Sequence, residues 1–96
     1  MFDRTKFAEV PKLYAQDGMG NDAVVYAHFF GGSWDWYMTE YDQATDMGFG
    51  LVCGFENELG YFSIAEMEEL SNTPIPKIEQ DLYWTPKTLG EIKAEL

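Results

Sequence analysis

The sequence holds one cysteine, one histidine and four prolines in 96 residues, and no basic side chain between positions 13 and 76. One cysteine makes no internal disulfide, and one cysteine with one histidine cannot close a zinc site. No apolar run approaches the roughly 20 residues of a membrane span. The start of the chain lacks the basic and apolar regions of a secretory leader. A phosphate-cradling glycine loop is missing too, since Gly18-x-Gly20 precedes an expected strand rather than a helix. These absences predict a soluble, cytoplasmic protein with one domain over 1–96 and no cofactor.

What is present is acid and aromatic. The formal net charge is −11, and the hydrophobic content of 46% with 17% aromatic is too rich for a disordered tail. The base-free stretch carries 11 acids, from Asp17 to Glu69, while the two ends carry six acids and six bases. All of the excess charge therefore belongs to the middle of the chain. Such a field opposes nucleic acid and anionic membrane, both of which need cationic surface. It favours a basic partner, or else it serves solubility alone.

The pattern predicts an α+β fold: an antiparallel sheet of four to five strands with two or three short helices packed on it. A short helix over 5–10 is expected, capped by Thr5 and stopped by Pro11. Residues 17–22 read as a glycine-rich turn, 23–30 as a strand, and Gly31-Gly32 as the next turn. A strand over 33–41 carries Trp34, Trp36, Met38 and Glu40 on one face and Asp35, Tyr37, Thr39 and Tyr41 on the other. In the strand over 48–55, one face is Gly48, Gly50, Val52 and Gly54. Glycine weakens a strand unless something needs the room, so bulky neighbours are expected over that smooth face. A turn at 56–58 and a strand over 59–63 follow. Ser63-Ile64-Ala65-Glu66 and Thr88-Leu89-Gly90-Glu91 both have the form of a capping box, each opening a helix. Ile64, Met67 and Leu70 recur at helical spacing as a buried stripe, Pro74 and Pro76 end that helix, and 77–84 reads as a last strand.

Few constellations offer chemistry. Cys53 and His28 are the only candidates for a thiol–imidazole pair, and both sit in strand patterns where a structural role is commoner. Asp42-x-x-x-Asp46 and Glu56-x-Glu58 offer oxygen ligands but do not match a calcium loop. Glu40 and Glu56 form a chance carboxylate pair in a domain with little room for a sugar cleft. The dense block Trp34-Asp35-Trp36-Tyr37, continued by Glu40-Tyr41-Asp42, is the strongest signal. Flat aromatics beside carboxylates suit an interface facing Arg and Lys, although aromatics also dominate cores.

Phe49-Gly50-Leu51-Val52-x-Gly54-x-Glu56-x-Glu58-Leu59-Gly60-Tyr61-Phe62-Ser63 with Glu66 resembles the signature of the domain of unknown function 2958 family. Pro11, Leu13-Tyr14-Ala15, Asp22-Ala23, Phe29-Phe30, Trp34, Trp36-Tyr37, Glu40, Asp42 and Ile78-Glu79-x-Asp81-Leu82 extend the match over nearly the whole chain. The chain departs from the pattern after Phe30, where Gly31-Gly32-Ser33 replaces a longer, proline-containing tip. The resemblance implies a small protein of a bacterial plasmid, integrated element or phage, and it implies no activity. With the charge, it leads to the expectation of a non-enzymatic acidic module that binds a basic, nucleic-acid-handling host protein by imitating a phosphate backbone. The residues expected to meet that partner are Asp35, Tyr37, Glu40, Tyr41, Asp42, Asp46, Glu56 and Glu58. The alternatives are a small accessory enzyme or small-molecule or cation binder with an acidic pocket, and a plain homo-oligomeric structural protein.

Overall fold

The computed structural model describes residues 2–71 and 77–96. Strands β1 (Val24–Val25), β2 (Ala27–Gly31), β3 (Trp34–Asp42), β4 (Met47–Cys53) and β5 (Asn57–Ser63) lead into helix α1 (Ile64–Ser71). Strands β6 (Glu79–Gln80) and β7 (Lys87–Thr88) then precede helix α2 (Leu89–Glu95). The main sheet has the order β5-β4-β3-β2-β6 and every pairing in it is antiparallel. The fold is therefore α+β, as the short turns between successive strands require. A second, two-stranded sheet joins β1 to β7.

One core lies on each face of the main sheet. On the first face Phe2, Phe7, Ile64 and Met67 close over Ala27, Phe29, Met38 and Phe62. On the second, Ala23, Val25, Leu89 and Ile92 close over Leu51 and Cys53. The strand expected over 23–30 breaks at Tyr26 to serve both. Val25 leaves the main sheet, pairs with Lys87 and is fully buried in the second core.

The smooth face of β4 is filled as expected. A Cβ at Gly48 would overlap the Phe62 ring and the Met38 sulfur, and one at Gly54 would overlap the Trp34 ring. Gly50 answers a different demand, because its added carbon would strike the Tyr37 carbonyl. That carbonyl lies next to a β-bulge between Met38 and Glu40.

Other boundaries differ for local reasons. The first helix is a single 3-10 turn, Arg4–Phe7, and Asp3 caps it rather than Thr5, accepting the Thr5 N–H at 3.0 Å. β4 stops at Cys53 because Gly54–Glu56 forms the turn, so β5 starts at Asn57. The strand expected over 77–84 keeps only Glu79–Gln80. Asp81 accepts the Tyr83 N–H on its side chain at 3.1 Å, a turn that ends the ladder. In α1, Ile64 and Met67 are buried but Leu70 is about half exposed. Ser63 accepts the Glu66 N–H, and the full reciprocal capping box forms at Thr88 and Glu91. Pro74 and Pro76, expected to end α1, lie outside the described residues.

Candidate functional site

The bulge decides where the acidic block points. Thr39 is the extra residue, so Met38 pairs with Gly50 and Glu40 with Phe49. An extra residue reverses the alternation beyond it. Glu40 therefore lies on the second face and Tyr41 on the first, the reverse of their expected sides.

Glu40 is 4% exposed. Its two oxygens accept the backbone N–H groups of Tyr14 and Gln16, both at 2.8 Å. Gln16 donates to the Val24 and Thr39 carbonyls and accepts the Val24 N–H. These bonds bolt the loop before β1 onto the sheet, so Glu40 is a structural carboxylate and is removed from any partner surface. Neither its role nor that of Gln16 has a local sequence signal.

Tyr41, Asp42 and Asp46 gather at the β3–β4 turn, but each is committed. The Tyr41 ring lies 5.0 Å from Phe7, and its hydroxyl donates to Asp46. Arg4 donates to Asp46 at 3.0 and 2.6 Å and to Glu68 at 3.1 Å. The guanidinium holds both carboxyls below the usual range. Burial, then the bond to Asp46, pushes the Tyr41 phenol up to about 12. Asp42 accepts from the Ala44 N–H and the Thr45 hydroxyl of its own turn. Asp42 and Asp46 thus do not act together as a cation pair.

Asp35 and Tyr37 lie toward the other end of β3. His28 sits between Asp35, 2.8 Å from Nε2, and Asp81, 3.3 Å from Nδ1. Its ring stacks on Tyr37 with centroids 4.7 Å apart and planes at 8°. Burial, then the charge of Asp35, raises the Tyr37 phenol to about 12. Cys53 pairs across the ladder with Asp35, and its thiol is pushed up by burial and by that carboxylate. A reactive thiol needs the opposite environment. Both imidazole nitrogens are engaged by carboxylates, so this cluster is built as a clasp between β2, β3 and the Asp81 turn.

Glu56 and Glu58 are exposed, and they frame a different feature. Phe55, at the tip of the β4–β5 turn, is 95% exposed. Its ring meets Trp34 edge-on at 5.4 Å and 82°, and Trp34 stacks on Trp36 at 5.9 Å and 26°. Trp34, Val52, Phe55, Glu56 and Glu58 line one shallow hollow. This aromatic platform continues the first face beyond the reach of its helical cover, which stops at Trp36 and Val52. Gly54 makes it possible by letting Trp34 lie flat over the backbone. Sequence reasoning named the two tryptophans and the two glutamates but missed Phe55. Its signal was an aromatic inside a Gly-x-Glu turn, where no core reaches it.

The eight expected partner residues are therefore spread over both faces and both ends of the sheet. The sequence profile described as protein of unknown function DUF2958 matches residues 7–91. No curated protein and no solved structure matches the chain.

Proposed function

Since the chain belongs to the DUF2958 family, a family of unknown function, we propose that it is a non-enzymatic binding module that takes a basic segment of another protein onto the Trp34–Trp36–Phe55 platform. The observation that carries this reading is Phe55, held 95% exposed and edge-on against Trp34 between Gly54 and Glu56. Phe55 is not a lone exposed ring but the outer edge of a patch continued by Trp34 and Trp36, and contiguous apolar patches rimmed by polar residues mark binding surfaces. Ring faces attract Arg and Lys, and the two glutamates beside them supply the opposite charge. A nucleic-acid-handling protein of a bacterial host is the partner class that the acidic charge and the mobile-element resemblance favour. It would be engaged by a few aromatic and carboxylate contacts rather than by a row of acids copying a phosphate backbone. The non-enzymatic part is supported by the raised thiol of Cys53 and the doubly engaged imidazole of His28.

The test is affinity capture from nuclease-treated bacterial lysate at low and high salt, with wild type beside Phe55→Ala and a Glu56→Lys/Glu58→Lys double variant. One basic protein should be held by wild type, released as salt rises, and lost by both variants. Capture that survives both variants overturns the platform as the interface.

A further inference from the structure

The main sheet ends on β5. Gly54 donates to the Glu56 carbonyl and Ile64 to the Asp46 carbonyl, which fixes the phase of the β4–β5 ladder. In that phase Glu58, Gly60 and Phe62 bond inward to Val52, Gly50 and Gly48. Asn57, Leu59 and Tyr61 then turn their N–H and C=O groups outward, and no backbone bond to them from elsewhere occurs among the described residues. The side chains of Leu59 and Tyr61 are about half exposed on the same strand. Natural edges are blunted by lysine, proline or a bulge. β5 contains neither residue, its one charge is Glu58 on the face opposite Leu59 and Tyr61, and its register against β4 is unbroken over all seven positions.

We propose that β5 is a self-association edge, on which two copies of this chain pair antiparallel about a two-fold axis at Gly60 to join their sheets into one. This surface is separate from the Trp34–Phe55 platform and does not depend on it. The register follows from the strand itself. Centring on Gly60 is the one arrangement that pairs all seven residues of β5 with their counterparts. It sets Leu59 opposite Tyr61 twice as bonded pairs, so their outward N–H and C=O groups satisfy each other. It sets Glu58 opposite Phe62, so no carboxylate faces another across the axis. The contact is isologous and closes, which excludes open fibres. The paired backbones with Leu59 and Tyr61 of both copies bury on the order of 1,000 Å², the low end for a specific interface, so the dimer is weak and reversible. Two bodies of charge −11 repel, so added salt strengthens this association, the opposite of its effect on a basic partner.

Sedimentation of the full chain from micromolar to millimolar concentration should show a monomer–dimer equilibrium that shifts toward dimer as salt rises. Amide exchange should show Leu59 and Tyr61 gaining protection with concentration, while Glu58 and Gly60 are protected throughout. Leu59→Pro removes one outward donor and leaves the ladder to β4 intact. It should weaken dimerisation at least tenfold. Leu59→Lys, which keeps the backbone donor but puts a charge on the edge, should do the same and serves if the proline variant unfolds. A monomer at every concentration overturns the proposal. So does a dimer in which the Leu59 and Tyr61 amides still exchange freely, or protection of those amides only when a basic protein is added.

Discussion

Glu40 shows how little a residue's identity says about its role. It sits in a stretch dense in acids and aromatics and reads as surface, yet it is buried with both oxygens taken by main-chain donors. Removing it orphans two N–H groups at about 1–3 kcal/mol each. Glu40→Ala should therefore cost about 2–5 kcal/mol in urea unfolding, whereas Glu58→Ala, exposed on β5, should stay within about 0.5 kcal/mol. The two half-buried phenols give a second expectation. Tyr37 and Tyr41, both raised to about 12, hold their protons more tightly folded than unfolded. The stability they contribute is complete below their unfolded value of about 10 and is lost as pH rises toward 12. A spectrophotometric titration of the six tyrosines should show these two ionising late and together with unfolding. Ionisation of all six near pH 10 with the fold intact would refute it.

At the scale of elements, the bulge in β3 and the Arg4 clasp do most to position the site. Thr39 is the residue that lets Met38 and Tyr41 share the first face while Glu40 takes the second. Its deletion should close the bulge, leaving Glu40 opposite Phe49 and Tyr41 opposite Gly48, at the loss of the Thr39 carbonyl that accepts from Gln16. The deletion variant should keep a cooperative thermal transition by circular dichroism at a lowered midpoint, and loss of the transition would mean that the bulge itself is needed to fold. The clasp joins the 3-10 turn at the start of the chain to the β3–β4 turn and to α1 through Asp46 and Glu68. Both carboxyls are lowered in the folded state, so their contribution is complete above about pH 4.5 and is lost as pH falls through their folded values. Arg4→Met should be less stable than wild type at neutral pH. The gap should narrow as the pH of a urea series falls from about 5 to 3; a constant gap would mean the clasp acts through packing alone.

For the molecule as a whole, charge and aromatic content are decided by different faces of the fold. The carboxylates of Glu40, Asp46, Glu68 and Asp81 are held by specific donors, Asp35 lies against the His28 ring, and the remaining acids have few bases near them. Self-repulsion should therefore outweigh local ion pairing. Adding salt at neutral pH should raise the urea midpoint. A fall would mean that the Arg4 clasp dominates the electrostatics of the native state.

Composition, glycine spacing and capping signals were enough to determine the α+β class, the antiparallel order of β2 to β5, the bulky cover over Gly48 and Gly54, and the helix opened by Thr88. These follow from local or period-two properties of the sequence. The acidic character of the middle of the chain was equally legible. Which acids face outward was not, because a single inserted residue, Thr39, reverses the alternation of β3, and no residue type announces a bulge. The break at Tyr26 and the early end of β6 depended on what packs against them, namely Val25 in the second core and the turn made by Asp81. Phe55 became part of a surface only because tertiary structure stopped the helical cover at Trp36 and Val52. Charge along a sequence is additive, but its placement in space is set by side-chain direction, and only the folded sheet supplies that.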